Sequence, residues 1–142
     1  MTSSDQRPVL IVAPTEDVHA RAVAAVLDRD FAVPAVIWDR ATLPRDTAID
    51  FRVGAAGSTA QLHTDVGDFP LDDFRSVWWR RALGFEIDPA VSDPRVRRYC
   101  ATECDAFVKG VTRSLAIPFV NDPLAEIVAS RKPFQLATAA RL

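Results

Sequence analysis

Arg75-Ser76-Val77-Trp78-Trp79-Arg80-Arg81 sets two adjacent tryptophans against two adjacent arginines, and it reads as a central β-strand with charge at its carboxyl end. Side chains alternate between the faces of a strand, so Val77, Trp79 and Arg81 share one face and Ser76, Trp78 and Arg80 the other. A strand with a large aromatic on each face needs cover on both, which is the condition of an inner strand in a layered α/β sheet. Ligands of open α/β sheets gather outside the carboxyl ends of the strands, where two guanidinium forks suit a carboxylate or a phosphate. Arg80 and Arg81 are therefore candidate substrate-binding residues, with ion pairs inside the domain as the alternative. Trp78 and Trp79 are read as core and support residues.

Upstream, Pro8-Val9-Leu10-Ile11-Val12-Ala13 is a short apolar run suited to a buried parallel strand. After Pro14, Thr15 is placed to cap a helix running to about Asp30, with Glu16 and Asp17 near the positive end of its dipole. Ala35-Val36-Ile37-Trp38 is the next strand, completing a β-α-β unit. Ala13-Pro14-Thr15-Glu16 lacks the glycines a dinucleotide turn requires, which sets aside a nicotinamide or flavin site. From Ala48 the pattern alternates: Ile49, Phe51 and Val53 face one way, then after Gly54 to Ser58, Ala60, Leu62 and Thr64 follow suit, giving a β-hairpin with one wet face. Its glycines sit at a hairpin tip with no following helix, so they make a poor phosphate cradle, and His19 and His63 read as surface residues.

Downstream, Ser92-Asp93-Pro94 opens a long helix with the stripe Val96, Cys100, Glu103, Phe107, Val111 and Leu115. Glu103 is the charged member of that stripe and needs a partner; Arg80 and Arg81 are the natural ones, and a direct ligand contact is the alternative. Arg95, Arg97, Arg98 and Lys109 fall on the opposite, solvated face. Ile117-Pro118-Phe119-Val120 is a short strand, Asn121-Asp122-Pro123 caps a helix, and Lys132-Pro133 begins another that lacks a stop signal before Leu142. The 142 residues then read as the front part of a longer protein.

With 49% apolar residues the chain has enough material for one real core, and one domain is the expected organisation. Seventeen Lys and Arg against nineteen Asp and Glu give no global field directed at nucleic acid or an anionic membrane. No apolar run approaches the roughly 18 residues of a membrane span, and the polar start does not resemble a signal peptide, so a cytoplasmic location is expected. Cys100 and Cys104 have no second pair to complete a zinc site and read as two small buried thiols on one helix.

Val77-Trp78-Trp79-Arg80-Arg81, Glu103, Phe119-Val120-Asn121-Asp122-Pro123 and Lys132-Pro133-Phe134-Gln135-Leu136-Ala137, in this order, resemble the N-terminal pre-ATP-grasp domain of the ATP-grasp ribosomal peptide maturases, the microviridin-type or graspetide-forming ligases. The resemblance covers nearly the whole chain; Ala82 departs from it where a proline often stands, and the chain stops before the family's Gly-Leu-x-Pro-x-Thr segment. It implies a layered, Rossmann-like α/β fold: a mainly parallel sheet with an added β-hairpin and helices on both faces. Residues 1–7 would be a flexible leader and 132–142 the start of a linker helix to a missing ATP-grasp region. The resemblance further implies a parent ligase that uses ATP and Mg²⁺ to activate Asp or Glu side chains of a precursor peptide as acyl phosphates. Attack by a hydroxyl or amine then closes macrocyclic esters or amides. The present chain would hold no catalytic residue, metal ligand or cofactor of its own. Arg80 and Arg81 would face the peptide, and Trp78, Trp79, Glu103, Asn121 and Lys132 would support the cleft. Expected partners are the rest of the enzyme, the precursor peptide and a second copy in a homodimer, with no nucleic acid and no membrane. Two other classes remain open. One is a non-catalytic α/β binding or interaction module. The other is a receiver-type signalling domain, whose acidic cluster after the first strand the sequence does not display convincingly.

Overall fold

Four short strands, β1 (Val9–Val12), β2 (Ala35–Trp38), β6 (Ser76–Trp79) and β7 (Phe119–Val120), form a parallel sheet in the order β2-β1-β6-β7. This is a computed structural model, and it describes residues 6–141. Most of the leader expected over residues 1–7, and Leu142 of the expected final helix, lie outside the described residues.

The tandem tryptophans do divide between the two faces. In register, Ile11 sits beside Trp78 and Val12 beside Trp79. On one face Val9, Ile11 and Ala13 pack with Trp78 under α1 (Val18–Phe31), through Ala20, Ala24 and Leu27. On the other, Leu10, Val12, Val77 and Trp79 join Val108 and Val111 of α2 (Pro94–Ser114). Helices therefore cover both faces, and every residue of β1 is buried between them.

The α1 cap differs from expectation. Asp17, not Thr15, is the capping residue: its backbone is extended (φ −66°, ψ 109°) and its Oδ1 accepts from the N–H groups of His19 and Ala20. Residues 14–17 are used up by a turn in which the Asp17 N–H donates to the Pro14 carbonyl, so the helix begins two residues later than a Thr15 cap would place it.

The hairpin β3 (Ala48–Gly54) and β4 (Gly57–Thr64) gains a third antiparallel strand, β5 (Gly67–Pro70), which the sequence conceals because four residues bounded by Gly and Pro resemble a linker. Ala60 and Leu62 bury its inner face against Phe74 and Trp79, whereas Phe51 and Val53 at the outer end of β3 remain exposed. In α2 the expected stripe holds at Val111 and Leu115, but before them the core face is shifted by one residue. Cys104, Val108, Val111 and Leu115 face the core, while Glu103 and Phe107 are exposed. Three- and four-residue spacing admitted both stripes; contact with the sheet selects the one without a carboxylate. Two short helices, α3 (Pro123–Ala129) and α4 (Lys132–Ala139), follow β7, and apart from Pro123 their residues are exposed. No described helix is long and apolar enough to cross a membrane.

Candidate functional site at the carboxyl edge of the sheet

The chain leaves β1 towards β2 on one side and leaves β6 towards β7 on the other, so the boundary between β1 and β6 is the switch point of the sheet. Trp79 ends β6, and the N–H groups of Arg80 and Arg81 both donate to the Val12 carbonyl, at 3.1 and 3.3 Å. Strand alternation has ceased there. As a result both arginines turn to the α1 side, instead of dividing between faces as the sequence pattern implied.

Their shared partner is Asp17. Arg80 Nε donates to Asp17 Oδ1 at 3.0 Å, and Arg81 Nη1 stands 3.8 Å from Oδ2. The Asp17 side chain is only 2% exposed, yet it is well satisfied. The Ala20 N–H, followed by the Arg80 guanidinium and the His19 N–H, holds its carboxyl below the usual aspartate range against the opposing effect of burial. Arg80 also lies 5.3 Å from the Trp78 ring centroid, so it is pinned between a carboxylate and an aromatic face. Arg80 is 24% and Arg81 61% exposed. One arginine is a structural clamp that ties the sheet to the start of α1; the other offers its guanidinium to solvent at the switch point.

Glu103 does not join this cluster. It sits on α2, against the opposite face of the sheet, at the rim of a shallow apolar groove with Leu43, Pro44, Ile49, Cys104 and Phe107. It makes no ion pair among the described residues, which corrects the expected pairing with Arg80 and Arg81. An exposed carboxylate needs no such partner. Cys104 beside it and Cys100 are free thiols, only half-buried where full burial was expected, and Cys104 is pushed up by desolvation and by neighbouring Cys100, the reverse of what a nucleophile requires.

On the α2 side a second arginine, Arg40, is held as tightly as Arg80. It follows β2 by two residues and lies 4.7 Å from the Phe85 centroid and 5.5 Å from that of Trp79. Its Nε donates to the Leu83 carbonyl at 2.8 Å, and Nη1 reaches Asp105 Oδ1 at 3.3 Å. Asp105 is shared with Lys109. Between these groups and α3 lies a cleft of about 230 Å³ whose wall includes Trp79, Ala82, Lys109, Glu126 and Ile127. Asn121, in the left-handed region at φ 62°, closes the end of β7 by donating from Nδ2 to the Trp79 carbonyl at 3.2 Å. Lys132 lies apart, bonded to Gln135 Oε1 within α4.

The solvated face expected on α2 is only partly so. Arg97 donates to the carbonyls of Ile87, Asp88 and Val91 and so fastens the loop after β6, while Arg95 and Arg98 stay exposed. Sequence reasoning missed Asp17 as an anchor and missed Arg40 and Asp105. Asp39-Arg40 directly after a strand was the available signal, since it places charge at the same edge as Arg80.

Residues 8–128 match the family model described as the MvdD pre-ATP grasp domain. Among solved structures, the chain resembles the macrocyclase MdnC of Microcystis aeruginosa MRC, bound with precursor peptide MdnA, at 21% identity and TM-score 0.82, covering 94% of this chain and 44% of that one. It resembles MdnB of the same source at 24% identity and TM-score 0.84, covering 95% and 44%. A Chryseobacterium gregarium RiPP-associated ATP-grasp ligase, in complex with ADP and a leader and core peptide, matches at 20% identity and TM-score 0.81, covering 95% and 41%. The chain thus spans less than half the length of the structures it matches. No curated protein matches it.

Proposed function

The chain belongs to the MvdD pre-ATP-grasp domain family, and from that premise we propose that it is the N-terminal part of an ATP-dependent ligase acting on a ribosomal precursor peptide. The parent enzyme, with ATP and Mg²⁺, converts Asp or Glu carboxylates to acyl phosphates; a hydroxyl or amine of the same peptide then displaces phosphate and closes an ester or amide ring. The observation that carries this reading is coverage: nearly all of this chain corresponds to under half of several peptide ligases, so the remaining length has room for the nucleotide site. Within the chain, Arg81 is the residue proposed to meet a substrate carboxylate, because Asp17 is already satisfied by Arg80 and two helix N–H groups. Arg80, Trp78, Trp79 and Asn121 position that edge. Residues 132–142 lead to the remaining part of the enzyme, which packs on the exposed Ile127, Val128, Phe134 and Leu136.

Calorimetric titration with ATP–Mg²⁺ tests the reading on the chain alone and on the chain extended by its downstream reading frame. Binding only by the extended protein, with ATP-dependent loss of water mass from a neighbouring Asp/Glu-bearing precursor, is the expected result. Tight nucleotide binding by the chain alone would overturn it in favour of a self-contained nucleotide-binding domain.

A further inference from the structure

The first half of α2, residues 94–103, contains no buried residue, and it extends past Asp105, where the helix meets Arg40 at the carboxyl end of β2. Along that projecting half, Arg95, Arg98, Tyr99 and Thr102 recur at i, i+3, i+4 and i+7 and, with Pro94, line a shallow groove of about 500 Å³. Arg29, Arg40, Arg45, Arg52 and Arg80 each have a carboxylate within 4 Å, whereas Arg95 and Arg98 have none among the described residues. Tyr99 is 65% exposed beside them. In a chain of net charge −2, this is a local cationic surface with an aromatic platform.

We propose that the Arg95–Arg98–Tyr99–Thr102 stripe docks an acidic stretch of the peptide substrate outside the cleft. The inference rests on the ligase reading above and names where that substrate is held. Two guanidinium groups one helical turn apart suit carboxylates on a flexible peptide, and the phenol ring covers the intervening backbone. Neither arginine supports the fold, so the surface is available without structural loss; Arg97, between them in sequence, does the anchoring.

Fluorescence anisotropy of the chain with a labelled glutamate-rich peptide, and with the same peptide carrying glutamine instead, reads this directly. The expected result is binding of the Glu peptide at least about tenfold tighter than the Gln peptide. Arg95→Gln with Arg98→Gln should abolish that difference, Tyr99→Ala should weaken binding several-fold, and Arg113→Gln on the same helix should change nothing. Equal binding of both peptides, no binding of either, or a double variant that behaves as wild type overturns the proposal. So does an oligo(dT) strand that binds through the same arginines more tightly than the peptide. In the extended protein the double variant should raise KM for the precursor and leave kcat unchanged. Water loss with unchanged KM would sink the docking surface and keep the ligase; absence of any water loss, with the Glu peptide still bound, would sink the ligase and keep the surface.

Discussion

Replacing Arg40 by alanine should destabilise the chain by about 2–4 kcal/mol. The Arg40 side chain is 11% exposed, and its hydrogen bond to the Leu83 carbonyl comes from an ionised donor at 2.8 Å. Such a bond contributes about 1.5–3 kcal/mol. The ion pair with Asp105 at 3.3 Å adds less than about 1 kcal/mol, because Asp105 is a third exposed and shares Lys109. Contacts with the Phe85 and Trp79 rings add about 0.5–1 kcal/mol each. Freeing the ordered side chain returns about 1–2 kcal/mol of rotamer entropy, which leaves about 0.5–5 kcal/mol at the extremes and a middle value of about 3, inside the stated range. Urea unfolding followed by tryptophan fluorescence measures the change at the affected ring, and the melting temperature should fall by roughly 5–15 °C. Arg40→Lys keeps the charge but not the planar fork and should recover less than half of the loss. A loss under about 0.5 kcal/mol for Arg40→Ala, or a fully stable Arg40→Lys, would refute the account.

Asp17 has a folded pKa held low, so its contribution to stability is present above its unfolded value of about 4 and is lost as pH falls below that through the folded value. Asp17→Asn should therefore flatten the acid limb of the stability curve; acid limbs that run parallel would contradict this. Arg81→Ala should leave stability within about 0.5 kcal/mol of wild type while raising the KM of the extended enzyme for its precursor, whereas Arg80→Ala should lower the melting temperature by leaving Asp17 without its main cation. Gly67→Ala should cost about 1–3 kcal/mol, because φ is 147° and the new Cβ meets the Phe69 ring at 3.3 Å, while Gly54→Ala, with nothing within 4 Å, should be close to neutral; equal losses would undo the comparison.

Elements whose signals are local were legible in the sequence. The runs Val9–Val12 and Ala35–Trp38 and the Asp93-Pro94 helix start emerged where composition and capping placed them, and the tandem tryptophans revealed a sheet covered on both faces. What eluded it depends on long-range contact. The helical phase of α2 is decided by the sheet beneath it, and the partner of Arg80 lies 63 residues away in a loop where two residues, Thr15 and Asp17, both suit a cap. β5 fails for a different reason: its pairing with β4 supplies the hydrogen bonds that four residues of weak β-propensity do not announce.

The paired tryptophans also account for the unequal state of the arginines at this edge. Trp78 directs Arg80 towards α1, where Asp17 closes the contact, and Trp79 holds Arg40 towards α2, where Asp105 does the same. Each face thus neutralises one arginine with one carboxylate across an aromatic ring, which fixes both helices to the sheet. Arg81 comes one residue too late to share a ring and meets Asp17 only at 3.8 Å, after that carboxylate has accepted three closer hydrogen bonds. Arg81 is thus the arginine of this edge with a weak, largely exposed contact and a rigid edge behind it, which is why the proposed carboxylate contact falls on Arg81 and on neither clamp.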